Sequence, residues 1–428
     1  MFKYYQKLAL LLVVILSMAL LAACGDNTGT TAPAAATTGV TTTLAATTTT
    51  AASGTTAAGA TTAATTTVAG VTTAAGAPTV AGATTAAAGA TTAAAGATTA
   101  AGATTAAAGA TTAAGATTAA AAGSVTFATN APKLAKKDKY KVGFAQTESN
   151  NPWRLAQTAS MKDEAQKRGF DLVYTDAAGS AAKQVADVDS MIAQKVDAIF
   201  LAPREEKPLA AAVKKAKAAG IPVFLLDRNV DKTLAKPGED YVTFIGSDFI
   251  EEGKRAGDWL VKATGGKANI IQLLGTTGAS PANDRRKGFE DAIKGQAGMK
   301  ILASQDGDFA RDKGRQVMET LLQANPDVNA VYAHNDEMAI GAIAALEAAG
   351  KKPGKDVIIV SIDGEKDALQ AIVDGKMGAS VECNPRFGPK AFDTMVKYAA
   401  GEQIPTVIIN PDNFYDSNNA KDFLATAY

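Results

Sequence analysis

The sequence predicts an α/β fold built from two doubly wound parallel-sheet lobes. Three observations predict it. Short apolar runs of strand length alternate with amphipathic segments of helical period from Lys139 to Tyr428. The alternation restarts midway, so about 290 residues divide into two lobes of similar size. Polar residues gather just after the apolar runs, at the carboxyl ends of the strands, where open α/β sheets take their ligands.

Taken in order, "YKVGFAQ", "FDLVYTD", "VDAIFLAP" and "IPVFLLD" are rich in Val, Ile, Phe and Leu and read as strands buried on both faces. "SAAKQVADVDSMIAQK" and "PLAAAVKKAKAAG" read as the helices between them, the second stopped by Gly220 with Pro222 following. After "YVTFIGSD" the same grammar resumes with "ANIIQLLG", "MKILASQ", "NAVYAHND" and "DVIIVSID".

The N-terminal part differs in kind. Lys3 and Lys7 precede the apolar core "LALLLVVILSMALLAA", which is short for a membrane span of about 20 residues and reads as a signal peptide over 1–23. It ends in "LLAACGD", which resembles the lipobox of bacterial lipoproteins. That resemblance implies cleavage before Cys24 and a diacylglyceryl anchor on it. Cys383 would then have no disulfide partner and reads as a small buried apolar residue. From 25 to about 123 the chain is almost only Ala, Thr and Gly, with "GATTAAA" recurring. Paired Thr and repeated Gly oppose helix, and no large side chain offsets the ordering entropy. Residues 24–138 therefore read as a disordered tether with an r.m.s. span of roughly 50–60 Å, whose threonines offer sites for O-glycans.

Lys plus Arg number 42, as do Asp plus Glu, so bulk charge points to no nucleic-acid partner. The polar residues after the strands are more informative. They are Asn150, Asn151, Trp153 and Arg154; Asp227 and Arg228; Ser247 and Asp248; Asn283, Asp284 and Arg285; Asn335 and Asp336; and Asp363. Carboxylates accept from hydroxyls, Arg offers a fork of donors, Asn offers both, and Trp presents a flat apolar face. A sugar has those needs. A single Asp or Asn after a strand reads first as a helix N-cap, but so many polar loops exceed what capping requires.

"YKVGFAQTESNNPWRLA", "IPVFLLDRNV", "LLGTTGASPANDRRKGFEDAI" and "VYAHNDEMAIGAIAALEAAG" resemble the sugar-binding proteins of bacterial ABC importers. These are of the ribose/galactose-binding type, with the type I periplasmic-binding fold. "VFLLDR", "GDWLVK", "GDFARDKGRQVMET" and "AHNDEMAIGAI" place the chain nearest the galactofuranose-binding branch. The resemblance spans 139–428. It implies that Trp153 stacks on the sugar ring, with Asn150, Asn151 and Arg154 around it. Asp227 and Arg228 would serve from the first lobe, with Arg285, Asn335 and Asp363 from the second, Asp248 at the first crossing and Glu382 beside another. It implies three crossings, near Ser247–Ile250, Glu382–Asn384 and about Thr406–Asn413, with 139–247 plus about 384–406 forming the first lobe and 248–383 plus about 407–428 the second. It further implies a monomer without cofactor or metal, held outside the cytoplasm by its lipid. Such a protein closes on a monosaccharide and delivers it to ABC permease subunits. One departure stands out. The galactofuranose branch reads more like S-E-S-G-W-R where this chain has "SNNPWR", closer to the ribose-binding pattern.

His334 is the single histidine, beside Asn335, Asp336 and Glu337. If Asn335 faces the cleft, strand alternation turns His334 away from it, as a packing residue. There is no H-E-x-x-H, C-x-x-C, G-x-S-x-G or Walker loop. Asp227 and Asp284 each adjoin an Arg in sequence, and where those Arg are also neighbours in space they oppose the proton-donating carboxyl a glycosidase needs. A binding protein is expected, not an enzyme. A sugar-responsive repressor would need a DNA-binding motif where this chain has a signal peptide. Presentation of the ligand to a chemoreceptor or sensor kinase is a compatible alternative.

Overall fold

The computed structural model describes residues 125–428. The signal peptide, Cys24 and the repetitive tether lie outside the described residues. No helix among the described residues is long and apolar enough to cross a membrane.

The first lobe is a six-stranded parallel sheet of β1 (Lys141–Gln146), β2 (Asp171–Asp176), β3 (Ala198–Leu201), β4 (Val223–Leu226), β5 (Thr243–Gly246) and β11 (Val407–Ile409). Its order is β11-β5-β4-β3-β1-β2. Around it lie α1 (Pro152–Arg168), α2 (Ala181–Ala193), α3 (Glu206–Ala218) and the returning α9 (Gly388–Ala399). β3, β4 and β5 are buried at every residue, as their unbroken apolar runs require. Phe200 joins Phe224 and Phe392, so the sheet core continues into the helix that comes back from the second lobe.

The second lobe repeats the plan with β6 (Lys267–Leu274), β7 (Gly298–Asp306), β8 (Ala330–Ala333), β9 (Ile358–Asp363), β10 (Ala379–Glu382) and β12 (Phe414–Asp416). Its order is β12-β10-β9-β8-β6-β7, with β12 alone antiparallel. Its helices are α4 (Phe249–Thr264), α5 (Ser280–Ile293), α6 (Arg311–Ala324), α7 (Asp336–Ala348), α8 (Lys366–Val373) and the short α10 (Ala420–Phe423). α4 and α5 cross closely because both carry glycine at the contact. A Cβ on Gly253 would stand 2.2 Å from the Arg285 carbonyl oxygen, and one on Gly288 would stand 2.0 Å from that of Ile250. This crossing sets Glu252 against Arg285.

The chain passes between lobes after β5, after β10 and between β11 and β12. The expected limits need two corrections. Val407–Ile409 pairs with β5, so these residues belong to the first lobe and the last crossing comes after them. Residues 125–138 are not tether. Phe127 bridges Pro405, the Ala128 amide donates to the Ile404 carbonyl at 2.9 Å, and Ala131 and Leu134 are buried in the core. The reason is compositional, since "FATNAPKL" supplies the large apolar groups that the Ala/Thr/Gly repeat lacks.

Candidate functional site

The lobes meet face to face. Across the cleft mouth the Glu206 amide donates to the Gly278 carbonyl at 2.9 Å, and the Asn229 amide donates to Ser280 Oγ at 2.8 Å. Asn283 Nδ2 donates to Glu206 Oε2 at 2.8 Å, and Arg204 Nη2 pairs with Asp308 Oδ1 at 2.5 Å. Between the lobes lies a small cavity of about 30 Å³.

From the first lobe the cavity is lined by Asn151, Trp153, Arg154, Asp227 and Arg228. Asn151 caps α1 by accepting from the Arg154 amide at 2.8 Å. Trp153 donates through Nε1 to the Cys383 carbonyl at 2.7 Å, which joins the loop after β1 to the second crossing. Arg154 Nη1 lies 2.7 Å from Asp227 Oδ2, both buried. Asp227 has φ 63°, a left-handed backbone that side chains rarely adopt. Arg228 is 2% exposed, yet its carboxylate neighbours are distant: Glu148 Oε1 at 3.6 Å and Asp227 Oδ2 at 3.7 Å. Its Nη1 donates to the Arg204 carbonyl at 3.3 Å. Burial and the Arg154 charge push Arg228 down to about 9 against the pull of Glu148 and Asp227. Guanidinium stays charged, so this charge is held at a cost.

From the second lobe come Pro281, Arg285, Phe309, Asn335 and Asp363, with Cys383 from the crossing. Arg285 is fixed on three sides. Its Nε pairs with Glu252 Oε2 at 2.7 Å, Nη1 donates to the His334 carbonyl at 2.6 Å, and Nη2 lies 3.4 Å from Asp363 Oδ1. Burial opposes its charge, but Glu252 and Asp363 outweigh it and hold it well above the ordinary range. Asp363 is pushed well up by burial, against Arg285. Asn335 caps α7 by accepting from the Met338 amide at 3.0 Å and donates to the Phe309 carbonyl at 3.1 Å.

The cavity thus holds three guanidiniums, two carboxylates and two amides, which can meet a ligand rich in hydroxyls. Phe309 supplies the apolar plate, with the Arg228 and Arg285 guanidiniums 5.3 and 5.8 Å from its ring centre. Sequence reasoning passed over Phe309, because the loop after "MKILASQ", which carries "GDFARD", was not among those gathered. Two successive left-handed residues, Asp308 at φ 55° and Phe309 at φ 56°, turn it inward. Glu148 was also missed. It is buried, with Oε2 2.5 Å from Arg204 and Oε1 facing Arg228. It supplies a buried acid in the loop whose "SNNPWR" has none.

Three expected residues lie elsewhere. Asn150 faces the cleft mouth, where it donates to Glu148 Oε2 at 3.5 Å. Asp248 is an exposed cap of α4, accepting from the Glu251 amide at 3.0 Å. Glu382 turns to the third crossing and accepts from Asn413 at 2.9 and 2.6 Å. His334 is wholly buried outside the cavity lining, its ring near Gln272 and the Gly275 amide. Its main-chain carbonyl, not its imidazole, serves the site by holding Arg285.

Residues 142–403 match the family described as periplasmic binding protein domain. The galactofuranose-binding protein YtfQ of Escherichia coli K12 is 45% identical over 288 residues, covering 66% of this chain and 90% of that protein. A solved galactofuranose binding protein aligns with TM-score 0.65 and 44% identity, covering 67% of this chain and 98% of that one. The binding protein of an arabinose ABC transporter from Shewanella sp. ANA-3, bound to α- and β-L-arabinofuranose, aligns with TM-score 0.63 and 41% identity, covering 67% and 95%. With its two lobes and the cavity between them, the chain belongs to the periplasmic binding protein family, extracytoplasmic proteins that bind solutes and are not enzymes.

Proposed function

We propose that the chain captures one monosaccharide, galactofuranose-like or another aldose, by closure of its lobes and delivers it to an ABC permease. The observation that supports this is the pairing of an aromatic plate, Phe309, with three Arg and two Asp in a cavity divided between the lobes. A sugar's C–H face meets the ring and its hydroxyls meet the charges. The similar proteins are named for galactofuranose or are bound to arabinofuranose, both sugars. Arg154, Asp227 and Arg228 take hydroxyls from the first lobe; Arg285, Asn335 and Asp363 take them from the second. Opening and closing is hinge motion at the three crossings. The protein acts as a monomer, anchored by lipid on Cys24, and ATP is hydrolysed on a separate subunit.

Calorimetric titration of residues 124–428 tests the reading with galactofuranose, galactopyranose, ribose, arabinose, xylose and glucose. Saturable 1:1 binding of one sugar is expected. Heat-silent titrations across the panel, with folded and sugar-free protein, would refute it.

A further inference from the structure

Asp363 has the least ordinary backbone in the site. Its φ is 133°, and Gly364 follows at φ 76°. A non-glycine residue stays in such a conformation only where its surroundings over-determine it. The restraints are identifiable. The Gly364 amide donates to Ser380 Oγ at 3.1 Å, and the Asp363 carbonyl accepts from the Cys383 amide at 3.1 Å. Both of those come from β10 or its end, through the register that pairs Glu382 with Asp363.

The third restraint comes from outside the sheet. Tyr428 Oη donates to the same Asp363 carbonyl at 3.0 Å. Tyr428 is itself held, its carbonyl accepting from the Lys366 amide at 3.0 Å and its ring lying 5.8 Å from the Arg386 guanidinium. It does not line the ligand cavity; it lines a separate pocket behind the second crossing.

We infer that Tyr428 is a positioning residue for ligand binding: its hydroxyl pins the Asp363 carbonyl, and so aims the Asp363 carboxylate into the cavity from behind. This rests on the sugar-binding reading of that cavity. The effect is selective, because a misaimed Asp363 fails only the ligand hydroxyl it accepts from. The rest of the ligand still meets Phe309, Arg228 and Arg285.

The test uses the full chain with Tyr428→Phe, which keeps the ring and removes the one donor. Affinity is measured for the bound sugar and for each of its monodeoxy forms, alone and combined with Asp363→Asn. The parent sugar should bind about tenfold more weakly to Y428F, as one lost hydrogen bond allows. The deoxy form lacking the hydroxyl that faces Asp363 should bind both proteins alike, and Y428F should add nothing to D363N. Unchanged affinity, equal losses for every deoxy form, or additivity with D363N would overturn the inference. A crystal structure of Y428F decides independently of any ligand. The Asp363 φ should leave the positive region or its carboxylate turn; an unchanged Asp363 overturns the inference. If the wild type binds no sugar, the sugar reading fails and the crystallographic arm alone decides this one.

Discussion

Arg228 and Arg285 hold equivalent stations on the two walls of one cavity, and they are treated differently. Arg285 meets Glu252, the His334 carbonyl and Asp363, and its charge is stabilised. Arg228 meets carboxylates only at 3.6 and 3.7 Å, and burial pushes it down to about 9. Arg285 is therefore held by protein partners without a ligand. The first-lobe wall keeps donor capacity in reserve, which a ligand's acceptors can fill.

The largest expected break is Arg285→Ala. It strands Glu252, whose Oε1 already lacks a partner, beside Asp363. Removing one partner of a buried ion network costs about 3–5 kcal/mol, which urea denaturation would read, and binding should go with it. Arg228→Ala should invert that pattern, leaving the urea midpoint near or above wild type while sugar affinity falls on the order of a hundredfold. Equal stability losses in both variants would erase the distinction. Asp308→Asn is milder. It weakens the Arg204 contact across the mouth, and Asp308 is 43% exposed at its side chain, so screening keeps the effect small. A few-fold faster release in stopped flow, shrinking at high salt, is expected.

The smallest effect concerns His334. Burial, Arg285 and Arg286 hold it well below its ordinary value of 6.5. The native state thus binds fewer protons than the unfolded chain below pH 6.5. Its contribution is present above pH 6.5 and is lost as pH falls beneath it. His334→Gln should flatten that part of the stability–pH curve and leave sugar binding in place. Loss of binding with the fold intact would mean the imbalance between the walls has been misassigned.

Much of this was legible in the chain. The strand–helix alternation fixes the parallel sheets, and polar residues after strands led to Arg154, Asp227, Arg228, Arg285, Asn335 and Asp363. Capping and lining proved compatible, since Asn151 and Asn335 do both. Asp248 shows the other outcome, a cap at an exposed helix start. Residue type cannot separate these cases, because the helix terminus asks for the same side chain whether or not a cavity lies beyond it. Phe309 was hidden for a different reason. Its direction follows from two left-handed backbone residues of ordinary chemistry, a feature that composition and period do not encode. Tyr428 was hidden by distance, as it reaches Asp363 across 65 positions.

The strap at residues 126–130 has a mechanical consequence. It bonds to Ile404, Thr406 and Gly238, all in the first lobe. A pull transmitted along the chain from its N-terminal side therefore enters the first lobe and stops there. The second lobe bears none of that load. It is a free arm on a fixed pivot, and the work of closing is set by the cavity and the three crossings, not by tension in whatever precedes them.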